Sequence, residues 1–216
     1  MTYLDLVNNV LKRLRERTVA TVEANTYSTL IGILLNDAKK EVEDSWDWSA
    51  LRTTLTATTE ENTFSYVLTG AGNRPTLLNV INDTDNFLLK YKDPKWFDQQ
   101  FLMTDTVEKG SPCYYTFNGQ DSNGDTIIEL FPKPDGIYNI RFNLVLRTSE
   151  LEEDSDELFV PTHPVAQLTY AKAVEERGED GGVSSSSAYA TAQRSLSDSI
   201  AMDAQKHEEE LIWQEV

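Results

Sequence analysis

The chain is poor in cations. Its 216 residues carry 19 Lys and Arg against 36 Asp and Glu, a formal net charge of −17. Binding to nucleic acid through phosphate contacts is therefore disfavoured for the molecule as a whole. The single cysteine, Cys113, excludes an internal disulfide and a thiol metal cluster, and it fits a reducing compartment. The two histidines, His163 and His207, stand in neither an HExxH nor any paired spacing, so zinc is unsupported. No apolar run approaches the roughly 18 residues that a membrane span needs. No charged-then-apolar stretch opens the chain, so neither a membrane span nor a secretory signal is expected. GxSxG, Walker and GxGxxG motifs are absent from the sequence.

Enough apolar residues remain for a core: 39% are hydrophobic and 10% aromatic. The length suits one large domain or two small ones. The organising stretch is Asn25 to Trp48. There Tyr27, Leu30, Ile31, Leu34, Ala38, Val42 and Trp46 recur at three- and four-residue intervals, which places them on one face of a helix. Asn36, Lys39, Lys40 and Glu43, with Asp37 and Asp44 at the edge, form the face expected to stay wet. Asn25 or Thr26 suits the N-cap.

Residues 2–17 predict an earlier helix with Leu4, Val7, Leu11 and Leu14 inward and Leu6 and Val10 beside them. Thr2 serves as N-cap and Asp5 stands in the first turn. Lys12, Arg13, Arg15 and Arg17 load its C-terminal end, where cations suit the negative pole of the helix dipole; an acidic or phosphate group of a partner is the alternative reason. From Ser49 the texture alternates and becomes rich in Thr, Val, Tyr and Phe. Strands are expected at 50–58, 63–68, 76–82, 87–92, 113–118, 126–131 and 138–146, with a short helix over 94–103 presenting Trp96, Phe97, Phe101 and Leu102. Turn chemistry separates them. After the acidic loop 150–157, Pro161 or Pro164 opens a third helix to Arg177, with Val165, Leu168, Ala171 and Val174 inward. Ser184–Ser187 offer caps to a fourth helix reaching about His207, its stripe formed by Ala188, Tyr189, Ala192, Leu196 and Ile200. The two are expected to pack as an α-hairpin.

The expected class is therefore α+β: a discontinuous helical bundle built from the N- and C-terminal helices, with an inserted antiparallel β-sandwich-like subdomain. The expected boundaries are 1–48 and 158–208 for the helical subdomain, 49–157 for the β subdomain and 209–216 for a C-terminal tail.

No catalytic constellation emerges. DSNGD at 121–125 resembles the start of a calcium loop, but the sixth position is Thr126 rather than glycine and the twelfth is Pro132 rather than glutamate, so a hairpin turn is expected. Cys113 lies in a strand-like aromatic run and reads as a packed thiol. Tyr91, Trp96, Tyr114 and Tyr115 would stack on sugars if exposed and would fill a core otherwise. From Glu150 to Val216 sixteen acids stand against four bases. This surplus either keeps the surface soluble or repels DNA lying close by. Leu211, Ile212 and Trp213 form an apolar group near the chain end, which either docks on its own domain or anchors in a neighbouring subunit or partner.

The opening TYLDLVNNVLKRLRE, the stretch NTYSTLIGILLNDAKKEVEDSWDWSALRTTLT, the helical hairpin turning at EERGEDGG and the closing ELIWQEV together resemble the head-to-tail adaptor (connector) proteins of short-tailed bacteriophages, related to tail tubular protein A. The resemblance runs from Tyr3 to the tail and rests on helices and aromatics. It implies a non-enzymatic virion protein without cofactor or metal, forming a ring of about twelve copies between the portal protein and the tail nozzle protein. It also implies transient passage of DNA without specific binding, and no membrane partner. Leu211, Ile212 and Trp213 then become the candidate portal anchor. Asn73, Asp83, Asp85, Asp121 and Asp125 become candidates for tail contact. The acidic surplus would let DNA slide through the ring. A glycan-binding or glycan-processing β module on a helical base is the alternative function.

Overall fold

The computed structural model describes residues 1–178 and 183–206. By contacts the chain divides into two compact units, Met1–Leu51 with Arg147–Val216, and Arg52–Leu146. The class is α+β, with terminal helices in the first unit and two four-stranded sheets in the second.

The helical unit contains α1 (Tyr3–Arg13), α2 (Thr26–Asp44), α4 (Thr162–Arg177) and α5 (Val183–Ala204). α1 starts in a capping box: Thr2 accepts from the Asp5 amide and the Asp5 carboxylate accepts from the Thr2 amide. It stops at Arg13, four residues earlier than the basic run suggested, because the chain turns at Arg15 with φ +60°. Asn25 caps α2 by accepting from the amides of Tyr27 and Ser28. Gly32 lets α1 approach: a Cβ there would collide with the Tyr3 hydroxyl and the Val22 side chain.

The buried face of α2 differs from the expected stripe. Ile31, Ala38 and Val42 are buried as expected, but Tyr27, Leu30 and Leu34 are only half-buried, and Leu35, Ser28 and Gly32 are buried instead. Lys39 and Glu43, expected on the wet face, are each 1% exposed. α2 is covered from more than one side, so its buried surface is wider than a single apolar stripe. α4 begins after Pro161 and ends at Gly178, whose φ of +60° is the left-handed C-cap. Val165, Ala166, Thr169, Ala171 and Ala173 are buried on α4, while Leu168 and Val174 are half-buried. α5 begins at Val183, so Ser184–Ser187 lie inside the helix rather than ahead of it. It packs on α4 through small residues including Ser185, Ala192 and Ser195.

The β unit is a sandwich of two sheets ordered β1-β8-β3-β4 and β2-β7-β6-β5. The strands are β1 (Arg52–Thr58), β2 (Ser65–Val67), β3 (Thr76–Asn82), β4 (Phe87–Leu88), β5 (Lys90–Tyr91), β6 (Tyr114–Gln120), β7 (Thr126–Phe131) and β8 (Asn139–Val145). Side chains from both sheets share one core, with Val80, Ile140, Phe142 and Leu144 meeting Ile128 and Leu130. The single strand expected over 87–92 is two: β4 pairs with β3 in one sheet, the buried Leu89 turns the corner, and β5 runs parallel to β6 in the other. α3 (Pro94–Leu102) starts after Asp93, which accepts from the Lys95 amide, and Pro94 takes the first turn. Phe97 is buried, and Trp96 and Phe101 are half-buried, whereas Leu102 is 78% exposed and outside the expected face.

Candidate interaction surfaces

The strand register sorts the loops of the sandwich into two ends. β1 begins, and β8 and β2 finish, at the end that carries loops 69–75 and 121–125. β3 and β7 finish, and β8 and β6 begin, at the opposite end, which carries loops 59–64, 83–86 and 132–138. The five residues singled out for tail contact therefore fall into two groups. Asn73, Asp121 and Asp125 are brought together at the first end; Asp83 and Asp85 lie at the second.

At the first end the carboxylates hold backbone. Asp125 accepts from the amides of Gly70 (3.1 Å) and Gly72 (2.9 Å), both glycines having positive φ. Asp121 accepts from the amides of Asn123 and Asp125, each at 2.9 Å, as an Asx turn does. The Gln120 amide reaches the Asn73 carbonyl at 3.4 Å, and Thr126 donates to the Gly72 carbonyl at 2.7 Å. A cleft of about 480 Å³ opens between the two loops, lined by Asn73, Arg74, Pro75, Phe117 and Gln120. DSNGD is thus a hairpin turn whose carboxylates are taken by amides. Among the described residues no group of three His, Cys, Asp or Glu side chains is placed to hold a metal.

At the second end Asp83 pairs with Arg141, Oδ1 lying 2.5 Å from Nη2 and 3.1 Å from Nε. Asp85 accepts from the Ser111 hydroxyl, which in turn accepts from the Asn82 side chain at 2.8 Å. Tyr138 donates to Asp135 at 2.6 Å, and that hydrogen bond, with lesser contributions from burial and charge, pushes the phenol up to about 12. Two apolar side chains, Ile137 in this end's loop and Leu102 at the close of α3, are more than 70% exposed.

The aromatics named for sugar stacking pack mainly on each other. The Trp96 and Tyr114 rings lie edge to face at 5.1 Å, and Lys92 sits over both. Tyr115 stands edge to face with Phe117, and Tyr91, about half exposed, flanks it. The Cys113 thiol is pushed above its ordinary value by burial and then by Glu108, the opposite of what an activated nucleophile needs.

The helical unit holds a feature that periodicity did not reveal. The polar face of α2 binds the returning segment 147–151 almost residue by residue. Arg147 pairs with Asp44 at 3.3 Å. Thr148 donates its hydroxyl to Glu43 at 2.6 Å. The Lys39 ammonium donates to the carbonyls of Thr148 (2.9 Å) and Ser149 (2.7 Å), and pairs with Glu43 at 3.1 Å. Lys40 pairs with Glu150, and Asn36 exchanges two hydrogen bonds with the Leu151 backbone at 2.9 and 3.0 Å. The sequence signal was the Lys-x-x-x-Glu spacing inside a polar stripe, which is equally common on solvated helices. Just past the C-terminal end of α2 in sequence, Asp203 of α5 accepts from Ser49 and from the Trp46 indole.

Leu211, Ile212 and Trp213, together with His207, lie outside the described residues. No helix among the described residues is long and apolar enough to cross a membrane. A search of curated proteins finds none that matches the chain. A family model described as SU10 adaptor protein matches residues 1–210, nearly the whole length and both units. The chain belongs to the SU10 adaptor protein family and is a structural adaptor of bacteriophage.

Proposed function

We propose that the protein is a non-catalytic ring-forming adaptor that joins the portal to the tail nozzle at the head-tail interface and lines the DNA exit channel. The observation that carries this reading is one family match running across a chain with two separately packed units, each with its own core. One chain so built offers a helical body for one neighbour and a β body for another. In this reading about twelve copies encircle the channel, and Leu211, Ile212 and Trp213, flanked in sequence by Glu208–Glu210 and Glu215, anchor in the portal as an apolar hot spot. An assembly site in the host cytoplasm follows, with the virion as the final location.

The β unit offers two ends for the nozzle, and one flat contact cannot use both. The end carrying Asp83 and Asp85 is favoured, because the same end carries the exposed Ile137 and its two carboxylates are already ordered by Arg141 and Ser111. Asn73, Asp121 and Asp125 form the alternative contact. The net charge of −17 supports the channel role: DNA meets few cations on this protein and slides rather than sticks. The test is bridging. Immobilised portal should retain purified nozzle protein only when this chain is added; retention without it, or none with it, refutes the adaptor reading.

A further inference from the structure

α1 is polarised in charge along its length. Its last turn carries Lys12 and Arg13, and Arg15 and Arg17 follow just beyond it, against one acid, Glu16, which is held by Arg177 at 2.6 Å. Lys12, Arg15 and Arg17 are exposed and form no ion pair among the described residues. Arg13, Arg15 and Arg177 stand around a recess of about 380 Å³ with Leu14, Tyr170 and Val174 in its walls. Tyr3, at the other end of α1, lines a second recess of about 620 Å³ whose rim carries Glu23, Glu152, Glu153 and Asp154. Ile33 of α2, 56% exposed, lies in it. Eleven helical residues, about 16 Å, separate the two recesses.

The acidic rim is held in place. The Leu4 amide donates to the Asp154 carbonyl at 3.2 Å, and the Val22 amide to the Asp154 carboxylate at 2.9 Å. The Asp156 carboxylate accepts from the amides of Glu152 (2.8 Å) and Glu153 (2.9 Å), leaving those two side chains outward and exposed.

We propose that these recesses mate between copies, the cationic recess of one chain against the acidic recess of the next. The occupant is a second copy because the two surfaces complement each other in charge and each sets long charged side chains against apolar walls, on which arginine stems pack well. Two different patches on one body make a head-to-tail contact, the type that closes rings. The inference rests on the ring reading above and names the contact that builds it.

The test is charge reversal with rescue. R13E/R15E and E152K/E153K are made separately and combined, far-UV circular dichroism checks that each folds, and ring formation on purified portal is followed by light scattering. Each pair alone should lose the ring, and the fourfold variant should regain it. A ring that persists in both pairs overturns this contact and leaves the ring reading standing. Loss in the cationic pair only, with E152K/E153K unchanged, also overturns it and assigns the arginines to an acidic or phosphate partner. A wild-type chain that forms no ring on portal overturns the ring reading and this contact with it.

Discussion

Replacing Lys39 with methionine isolates the interaction that ties the returning chain to α2. Methionine keeps the unbranched stem and removes the ammonium. Two carbonyls, of Thr148 and Ser149, lose the ammonium that they accept from, and the Glu43 carboxylate loses its counter-charge at 3.1 Å while keeping the Thr148 hydroxyl. Both members of the pair are 1% exposed, so water does not take over. Breaking a buried pair by removing one partner costs about 3–5 kcal/mol, and each stranded carbonyl about 1–3 kcal/mol. These losses share one site and relax together, so they do not add, and about 3–5 kcal/mol is expected in all. That is a large part of the roughly 5–15 kcal/mol that holds a typical domain. Urea unfolding checks it, with Trp46 and Trp48 reporting the helical unit. K39M should shift that transition to lower urea, and K39M/E43L should recover part of the loss because no charge is left stranded. A K39M midpoint within about 1 kcal/mol of wild type would refute the reasoning, since the pair would then be replaceable by solvent.

Leu35→Ala should destabilise the helical unit by about 2–5 kcal/mol, and the half-buried Leu34→Ala by clearly less; equal midpoints would show that the buried face is misassigned. The Tyr138 phenol should titrate near 12 in the folded protein, and Asp135→Asn should return it toward the ordinary value of about 10, as ultraviolet or NMR titration would show. Because the folded value is raised, the stabilisation from this hydrogen bond is fully present below about pH 10 and fades as pH climbs toward 12. Deleting 209–216 should leave the fold intact and weaken binding to purified portal; unchanged retention in a pull-down would remove Leu211, Ile212 and Trp213 from the anchor.

Helix existence, the β segment and its turn chemistry were legible because each rests on local residue types: the Thr2 and Asn25 caps, Pro94 at a first turn, Gly178 at a C-cap. The α+β class followed from that order. The inward face of α2 was less legible. Hydrophobic spacing finds one apolar stripe, but Lys39 and Glu43 are buried by a segment more than 100 residues away, and periodicity cannot see a polar face that another segment covers. The same limit hid the break at Leu89, since a change of sheet leaves no mark in an alternating pattern. Of the site residues, Asp121 and Asp125 were recognisable as turn formers. That Asp83 and Asp85 stand at the other end of the sandwich is a matter of strand order, which the sequence does not display.

The measurement that bears most directly on the adaptor account is the mass of the purified protein by light scattering, alone and mixed with its portal. The account predicts a portal-dependent step to a complex holding about twelve added copies, since a ring seated under a portal follows its symmetry. A chain that remains monomeric beside the portal would contradict it.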